Sequence, residues 1–285
     1  MAARSLDAEA TSRVRLQLGQ VVVAGCVLAV VILGALGADW LAPYPFDEMH
    51  IADRLHGPSL AYLAGTDEYG RDVLSRTPYG ARLSLFLGFV ATAIGLAAGV
   101  PLGLLAGYRR GLADELLMRG LDVVMSFPAL LLVLLIIGVT PPGLAKTAVA
   151  VGILFVPPVA RVTRSVTLDL MTQEFIVAAA ARGERLWYIL WRELLPNAWP
   201  AIVVEGSLRV AFAILLGAVL SFLGFGVQPP AADWGLMINN ARDFVEAAPW
   251  MALGPGVAMS LTVIAVSTLG DGLRDYLDPK LGGRR

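Results

Sequence analysis

The chain has 285 residues, of which 57% are hydrophobic and only 16% charged, with a mean hydropathy of +0.70. Soluble domains carry about a quarter charged residues, so this composition belongs to a protein that crosses a membrane several times. A net charge of -1 excludes bulk electrostatic affinity for nucleic acid, and the single cysteine, Cys26, excludes an intrachain disulfide or a cysteine-cluster metal site.

In chain order, residues 1–20 form a polar tail with Arg4, Arg13 and Arg15, expected on the cytoplasmic side because positive residues stay inside. The first span is expected over residues 21–41, long enough to anchor the chain rather than to be cleaved as a signal. Cys26 falls in this run, where packing is its expected role. Residues 42–82 make an outer loop that holds both histidines, His50 and His56. Lone loop histidines are usually solvated, so no metal site is expected there.

A second span is expected over residues 83–106, followed by the basic turn at Arg109 and Arg110. A third should run over 121–139 and a fourth over 145–162, with Pro157-Pro158 bending or ending it. Residues 163–200 then form a polar knob. Its first helix is expected over 165–181, ending in Ala178 to Ala181, because alanine favours helix and leaves a thin surface. Gly183 sits where a left-handed cap is wanted, with Arg182 at the negative end of the helix dipole. A second short helix, 185–194, would carry Leu186, Ile189, Leu190 and Leu194 on one face and be stopped by Pro196. The fifth span is expected over 201–225 and the sixth over 251–269, leaving residues 271–285 as a charged tail.

Six spans with an inner N-terminus place both tails and the knob in the cytoplasm. Arg161, Arg164, Arg182, Arg185 and Arg192 cluster at the knob in keeping with this. The first outer loop runs against the rule, with Arg54, Arg71, Arg76 and Arg82 set against Asp53, Asp67, Glu68 and Asp72.

The only lysines, Lys146 and Lys280, lie outside any G-x-x-x-x-G-K-S/T phosphate loop, so the chain does not bind ATP by that route. No serine–histidine–acid set falls within the spans, which removes support for an intramembrane hydrolase. Glu205 and Arg209 lie inside the fifth span, four residues apart in the favourable order for a helical ion pair. Charges inside a membrane are costly and tend to mark interiors or pathways. Three readings stand: a structural pair between subunits, a pair lining the path of a zwitterionic substrate, and side chains snorkelling to the interface.

Val177-Ala178-Ala179, then Gly183, then Leu194-Leu195-Pro196 together resemble the EAA loop of permease subunits in binding-protein-dependent ABC importers. The family places a glutamate where this chain has Val177. Asn197 and the run RELLPNAWP are similar to the dipeptide/oligopeptide (peptide/nickel) branch. So are LAGTDEYGRDVLSRTPYGARLSL at 63–85, SFLGFGVQPP at 221–230, and Asp233-Trp234-Gly235. Relatives often carry an acid one turn before SFLG, where Gly217 and Ala218 stand here.

The resemblance implies an all-α, type I importer permease with six transmembrane helices in the cytoplasmic (inner) membrane and a core domain over 83–270. It also implies a second homologous permease, two ATPase subunits that hold ATP and magnesium, a solute-binding protein outside, and no cofactor on this chain itself. Val177, Ala178, Ala179, Arg182, Gly183, Leu186, Ile189, Leu190, Leu194 and Pro196 would engage the ATPase; Glu205, Arg209 and Ser221 would line the path or an interface. Residues 235–245 could touch the docked binding protein. The implied cargo is a peptide; relatives also handle nickel chelates, glutathione and haem. An ion-coupled secondary transporter and a non-transporting scaffold are the rivals from other classes. The first would need mid-membrane proton-relay acids and paired broken helices.

Overall fold

A computed structural model describes residues 2–139 and 141–277, with side chains from residue 19 onward. The side chains of Arg4, Arg13 and Arg15, and residues 278–285 with Lys280, lie outside that description. The described residues hold no strand element and the following helices. α1 covers Ala2–Leu36, α2 Ala38–Leu41, α3 Val73–Arg109, α4 Gly111–Met125, α5 Ala129–Gly138 and α6 Leu144–Leu170. α7 covers Glu174–Ala181 and α8 Leu186–Tyr188; a π-helical stretch, Ile189–Leu194, joins α8 to α9, Leu195–Phe222. α10 is Trp234–Ala241 and α11 is Trp250–Leu277.

Five helices are long and apolar enough to cross a bilayer, and six crossings result if the bent pair α4–α5 counts as one. The packing decides that question. Along α3, Gly95 abuts Phe155 of α6, Gly99 abuts Val159 and Gly107 abuts Thr167. Both sets of numbers rise together, so α3 and α6 run parallel. A chain that descends twice must climb back in between, and α4–α5 is the segment available to do it. α9 runs antiparallel to α3, with Gly88 against Ile214 and Gly206 against Leu96. α1 runs antiparallel to α11, since Gly25 meets Leu269 and Gly272 meets Val21. The start of the first span, the end of α11, the α3–α4 turn and the knob therefore share one end of the bundle.

What lets α3 and α6 approach is a stripe of glycines four apart: Gly95, Gly99, Gly103 and Gly107. A Cβ on Gly95 would sit 2.6 Å from that of Phe155, and one on Gly99 would sit 2.7 Å from that of Val159. In lipid, helices associate through close packing rather than hydrophobic exclusion, and small residues permit it. This repeat is legible in the sequence and was the missed signal.

Several expectations need correction. The third span is not one straight helix: α4 and α5 meet at 83° around Ser126-Phe127-Pro128, because proline supplies no amide donor to continue the ladder. Pro157-Pro158 does not end the fourth span; α6 runs through both to Leu170, since an interrupted backbone in lipid costs more than one lost hydrogen bond. The knob's first helix is consequently two pieces, the end of α6 and the separate α7, divided by a turn at 171–173. Pro196 does not stop the second knob helix either. The backbone widens before it, with the Leu195 amide donating to the Leu190 carbonyl five residues back, and α9 continues. Helix begins at Ala2 rather than after a tail. Cys26 is exposed on α1, which buries little of itself, and so does not pack in a core.

Candidate functional site

The knob hangs from the shared end of the bundle. α7 finishes at Ala181, and the Gly183 amide donates to Ala180 (3.0 Å) while that of Glu184 donates to Ala179 (3.3 Å). Those two bonds, with Gly183 at φ +74°, close the helix in the left-handed turn that its sequence called for. A Cβ at Gly183 would meet nothing within 4 Å, so the turn points into open space.

The ten residues singled out in the knob divide into two groups. Ala179, Ile189, Leu190 and Leu194 are buried against Val100, Leu104, Val159 and Ile176, and Leu186 packs partly on the same cluster. Expected as a face for a partner, the three aliphatic side chains instead fasten the knob to the ends of α3 and α6. The surface that remains is Val177 (58% exposed), Ala178, Arg182, Gly183 and Pro196. Arg182 reaches Glu184 at 3.5 Å and Glu193 at 3.9 Å, bridging the two knob helices. Sequence reasoning missed Trp187 and Trp191, which stack at 6.5 Å with planes 10° apart; Trp187 is 65% exposed. Their four-residue spacing was the available signal.

Arg161 and Arg164 do not stand free at the knob. Arg161 pairs with Asp122 and Arg164 with Asp114, clamping α4 to the end of α6.

Deeper in the bundle, Arg209 donates to Glu205 Oε1 from Nε at 2.6 Å, with Nη2 at 2.5 Å from the same oxygen. The guanidinium also lies 5.6 Å from the centre of the Phe155 ring, a stabilising position for a cation in an apolar setting. Glu205 is buried yet forms part of the wall of a cavity of about 480 Å³ with Val162, Asn197, Ala201, Val204 and Arg274. The cavity lies on the knob side of the contact between Ser207 of α9 and Gly270 of α11. Ser221 is not near it. Its hydroxyl bonds to Asp233, at the start of α10.

The opposite end is a sealed polar lid. Asp67 accepts from Arg71 at 2.7 Å and lies 3.8 Å from Arg76, whose Nη1 donates to the Phe46 carbonyl at 2.6 Å. Asp72 caps α3 by accepting from the Ser75 amide at 2.8 Å. Arg82 departs from the expected cluster and pairs with Asp39 at 3.0 Å. Burial and the neighbouring Asp67 hold the Glu68 carboxyl above its usual range. Desolvation likewise raises the Tyr62 phenol to about 12, aided by its bond to Asp53. Asp233 accepts from Ser84 at 3.1 Å and from the Leu236 amide at 3.2 Å, and its carboxyl is nonetheless raised because it is buried. Trp234, wholly buried, donates to the Thr77 carbonyl at 3.0 Å. α10 is thus turned inward; of the stretch 235–245, Arg242, Asp243 and Val245 are the exposed part. His50 packs edge-on to Tyr44 at 5.5 Å while His56 bonds to Gly57. No group of three or more metal-ligating side chains occurs among the described residues.

A bundle of membrane-crossing helices with a hinged polar knob at one end and a polar lid at the other has the make-up of a multi-pass transport protein. Residues 99–283 match the family described as "binding-protein-dependent transport system inner membrane component", and the chain belongs to that family. It is 43% identical over 261 residues to the glutathione transport system permease protein GsiD of Pectobacterium atrosepticum, covering 91% of this chain and 87% of that one. It is 40% identical to the dipeptide transport system permease protein DppC of Alkalihalophilus pseudofirmus, covering 90% and 84%. The fold is similar to a chain of the inward-facing MetNI methionine ABC transporter, with a TM-score of 0.59 at 20% identity, covering 70% of this chain and 94% of that one. That likeness supports the type I importer architecture.

Proposed function

We propose that the chain is the permease subunit of an ATP-driven importer that carries peptides of the dipeptide/oligopeptide class across the cytoplasmic membrane. One observation carries the mechanism. The helix that starts at Leu186 in the knob continues without a break to Phe222, the far end of the fifth span. A push on the knob is therefore a push on the wall of the path.

The knob end faces the cytoplasm in this reading, and both termini lie on that side. Two ATPase subunits sit beneath, holding ATP and magnesium, and Val177, Ala178, Arg182, Gly183 and Pro196 bear on them. Closure of the ATPase dimer draws this knob toward that of a second, homologous permease. Ile189, Leu190 and Leu194 transmit the movement by being packed onto α3 and α6. The outer ends then part, a solute-binding protein docked on the lid releases its cargo, and hydrolysis resets the pair. No chemistry on the cargo is asked of this chain.

Glutathione is the second cargo to hold in view, because a relative at 43% identity is a glutathione permease. The test is uptake of labelled dialanine and of glutathione by proteoliposomes holding the whole assembly and its binding protein. Accumulation that requires internal ATP and the binding protein is expected. Uptake that persists without ATP and follows an ion gradient would overturn the proposal.

A further inference from the structure

Beyond the pathway as a whole, the wedge between α9 and α11 has the features of a binding site. α9 and α11 are in contact at Ser207 and Gly270, and the cavity opens on the knob side of that contact. The opening of about 480 Å³ falls within the ~300–1,000 Å³ usual for small-molecule sites. Its walls carry opposite charges from different helices, Glu205 on α9 and Arg274 on α11, with Asn197 between apolar side chains. Arg209 directs both Nε and Nη2 at Oε1 of Glu205. That leaves the second carboxylate oxygen for another donor. Arg274 makes no ion pair with any described residue.

We propose that this wedge is an exit subsite for a zwitterionic peptide: Glu205 receives its α-ammonium group and Arg274 its α-carboxylate. The assignment rests on the functional reading above and adds a site to it. The charge arithmetic disfavours a simple cation, and an acid on α9 facing a base on α11 matches a ligand that carries both signs. Glu205 and Arg209 neutralise each other, so a lone ammonium would leave a net positive wedge beside Arg274. A ligand carrying both signs adds none. The apolar walls from Val162, Val204 and Leu208 tolerate varied side chains.

The test uses the complete nucleotide-free assembly in phosphatidylcholine vesicles, with Cys26→Ala in this chain and a reporter cysteine at Ala201→Cys or, should that variant be unstable, Val204→Cys. Dialanine at about ten times its dissociation constant should slow maleimide labelling roughly tenfold by occupancy. N-acetyl-dialanine and dialanine amide should protect weakly. In Glu205→Gln the acetylated peptide should protect as well as dialanine; in Arg274→Gln the amide should. Equal protection by all three peptides in the unaltered wedge would overturn the proposal. So would absence of protection in vesicles that still import dialanine, a result that leaves the importer reading intact. Labelling slowed by phosphatidylglycerol and indifferent to dialanine would reassign the wedge to a lipid headgroup. Protection without any ATP-dependent uptake would instead count against the importer reading and for the subsite.

Discussion

The guanidinium of Arg164 grips the carboxylate of Asp114 with two parallel bonds, Nε to Oδ1 and Nη2 to Oδ2, each 2.5 Å long. A forked arrangement of this kind fixes orientation as well as distance. It joins α4, the first limb of the bent third crossing, to α6 just above the knob. The clamp therefore lies on a route by which a movement of the knob can reach α4.

Asp114→Asn should loosen that joint. A charge-assisted bond is worth about 1.5–3 kcal/mol net, and this one is only partly shielded from water, so the lower part of that range applies. The Tm of the purified chain in detergent should fall. A double-mutant cycle with Arg164→Gln should show that the two losses do not add. Additive losses would mean that the residues do not act as a pair.

The glycine stripe makes a sharper prediction. Gly99→Ala forces a methyl to within 2.7 Å of the Val159 side chain, and overpacking of that sort costs about 1–3 kcal/mol. Gly99→Leu should abolish accumulation of the folded protein. Gly120→Ala on α4, where a Cβ would meet nothing within 4 Å, should be neutral or raise Tm, since alanine favours helix by up to about 1 kcal/mol. Fluorescence-detected size exclusion and thermal melts separate the three.

The two faces of the knob should respond differently to the same change. Ile189→Asp buries a carboxylate in the cluster with Leu104 and Leu194, and should destabilise the protein outright. Val177→Asp adds a charge to an exposed position and should leave stability within about 0.5 kcal/mol of the parent. Under the proposed function it should also weaken the assembly with the ATPase. Gly183→Trp should reach the membrane, because the space beside it is open and the strain of a side chain at φ +74° is confined to the turn, while hydrolysis continues without uptake. Normal dialanine uptake by Gly183→Trp would be evidence against a coupling role for the turn.

At the lid, the buried Asp233 carboxyl is raised by desolvation, so the folded state holds its proton more tightly than the unfolded chain does. Its contribution to stability is thus full at pH below the ordinary aspartate range. It declines as the pH rises through the higher folded value. Asp233→Asn removes this dependence and still offers an oxygen to the α10 cap. The difference in Tm, variant minus parent, should grow more positive from pH 4 to pH 8 in thermal melts. A difference that stays flat would show that Asp233 does not titrate in that interval.

Much of the molecule was legible before any fold was known. The apolar runs marked where the crossings fall, and the spacing of Gly183 and Leu194-Leu195-Pro196 marked the knob. Other features escaped for identifiable reasons. The split at Pro128 and the continuity through Pro157-Pro158 involve the same residue type with opposite outcomes. Proline's local effect is similar at each place, and whether the helix survives depends on which neighbours pack beside it. Ile189, Leu190 and Leu194 looked like a face for a partner because periodicity shows that a stripe is apolar without showing what covers it.

Composition and periodicity by themselves determined that this chain lives in a bilayer, roughly where it crosses, and that a glycine-hinged knob interrupts it, because those properties are local to the chain. Only the tertiary structure decided that α3 and α6 run side by side in the same direction, that half of the knob is anchor and half is surface, and that Glu205 and Arg274 look into one cavity. Each of these depends on contacts between residues tens to hundreds of positions apart, and the direction, depth and occupancy of such contacts are set by how whole helices pack.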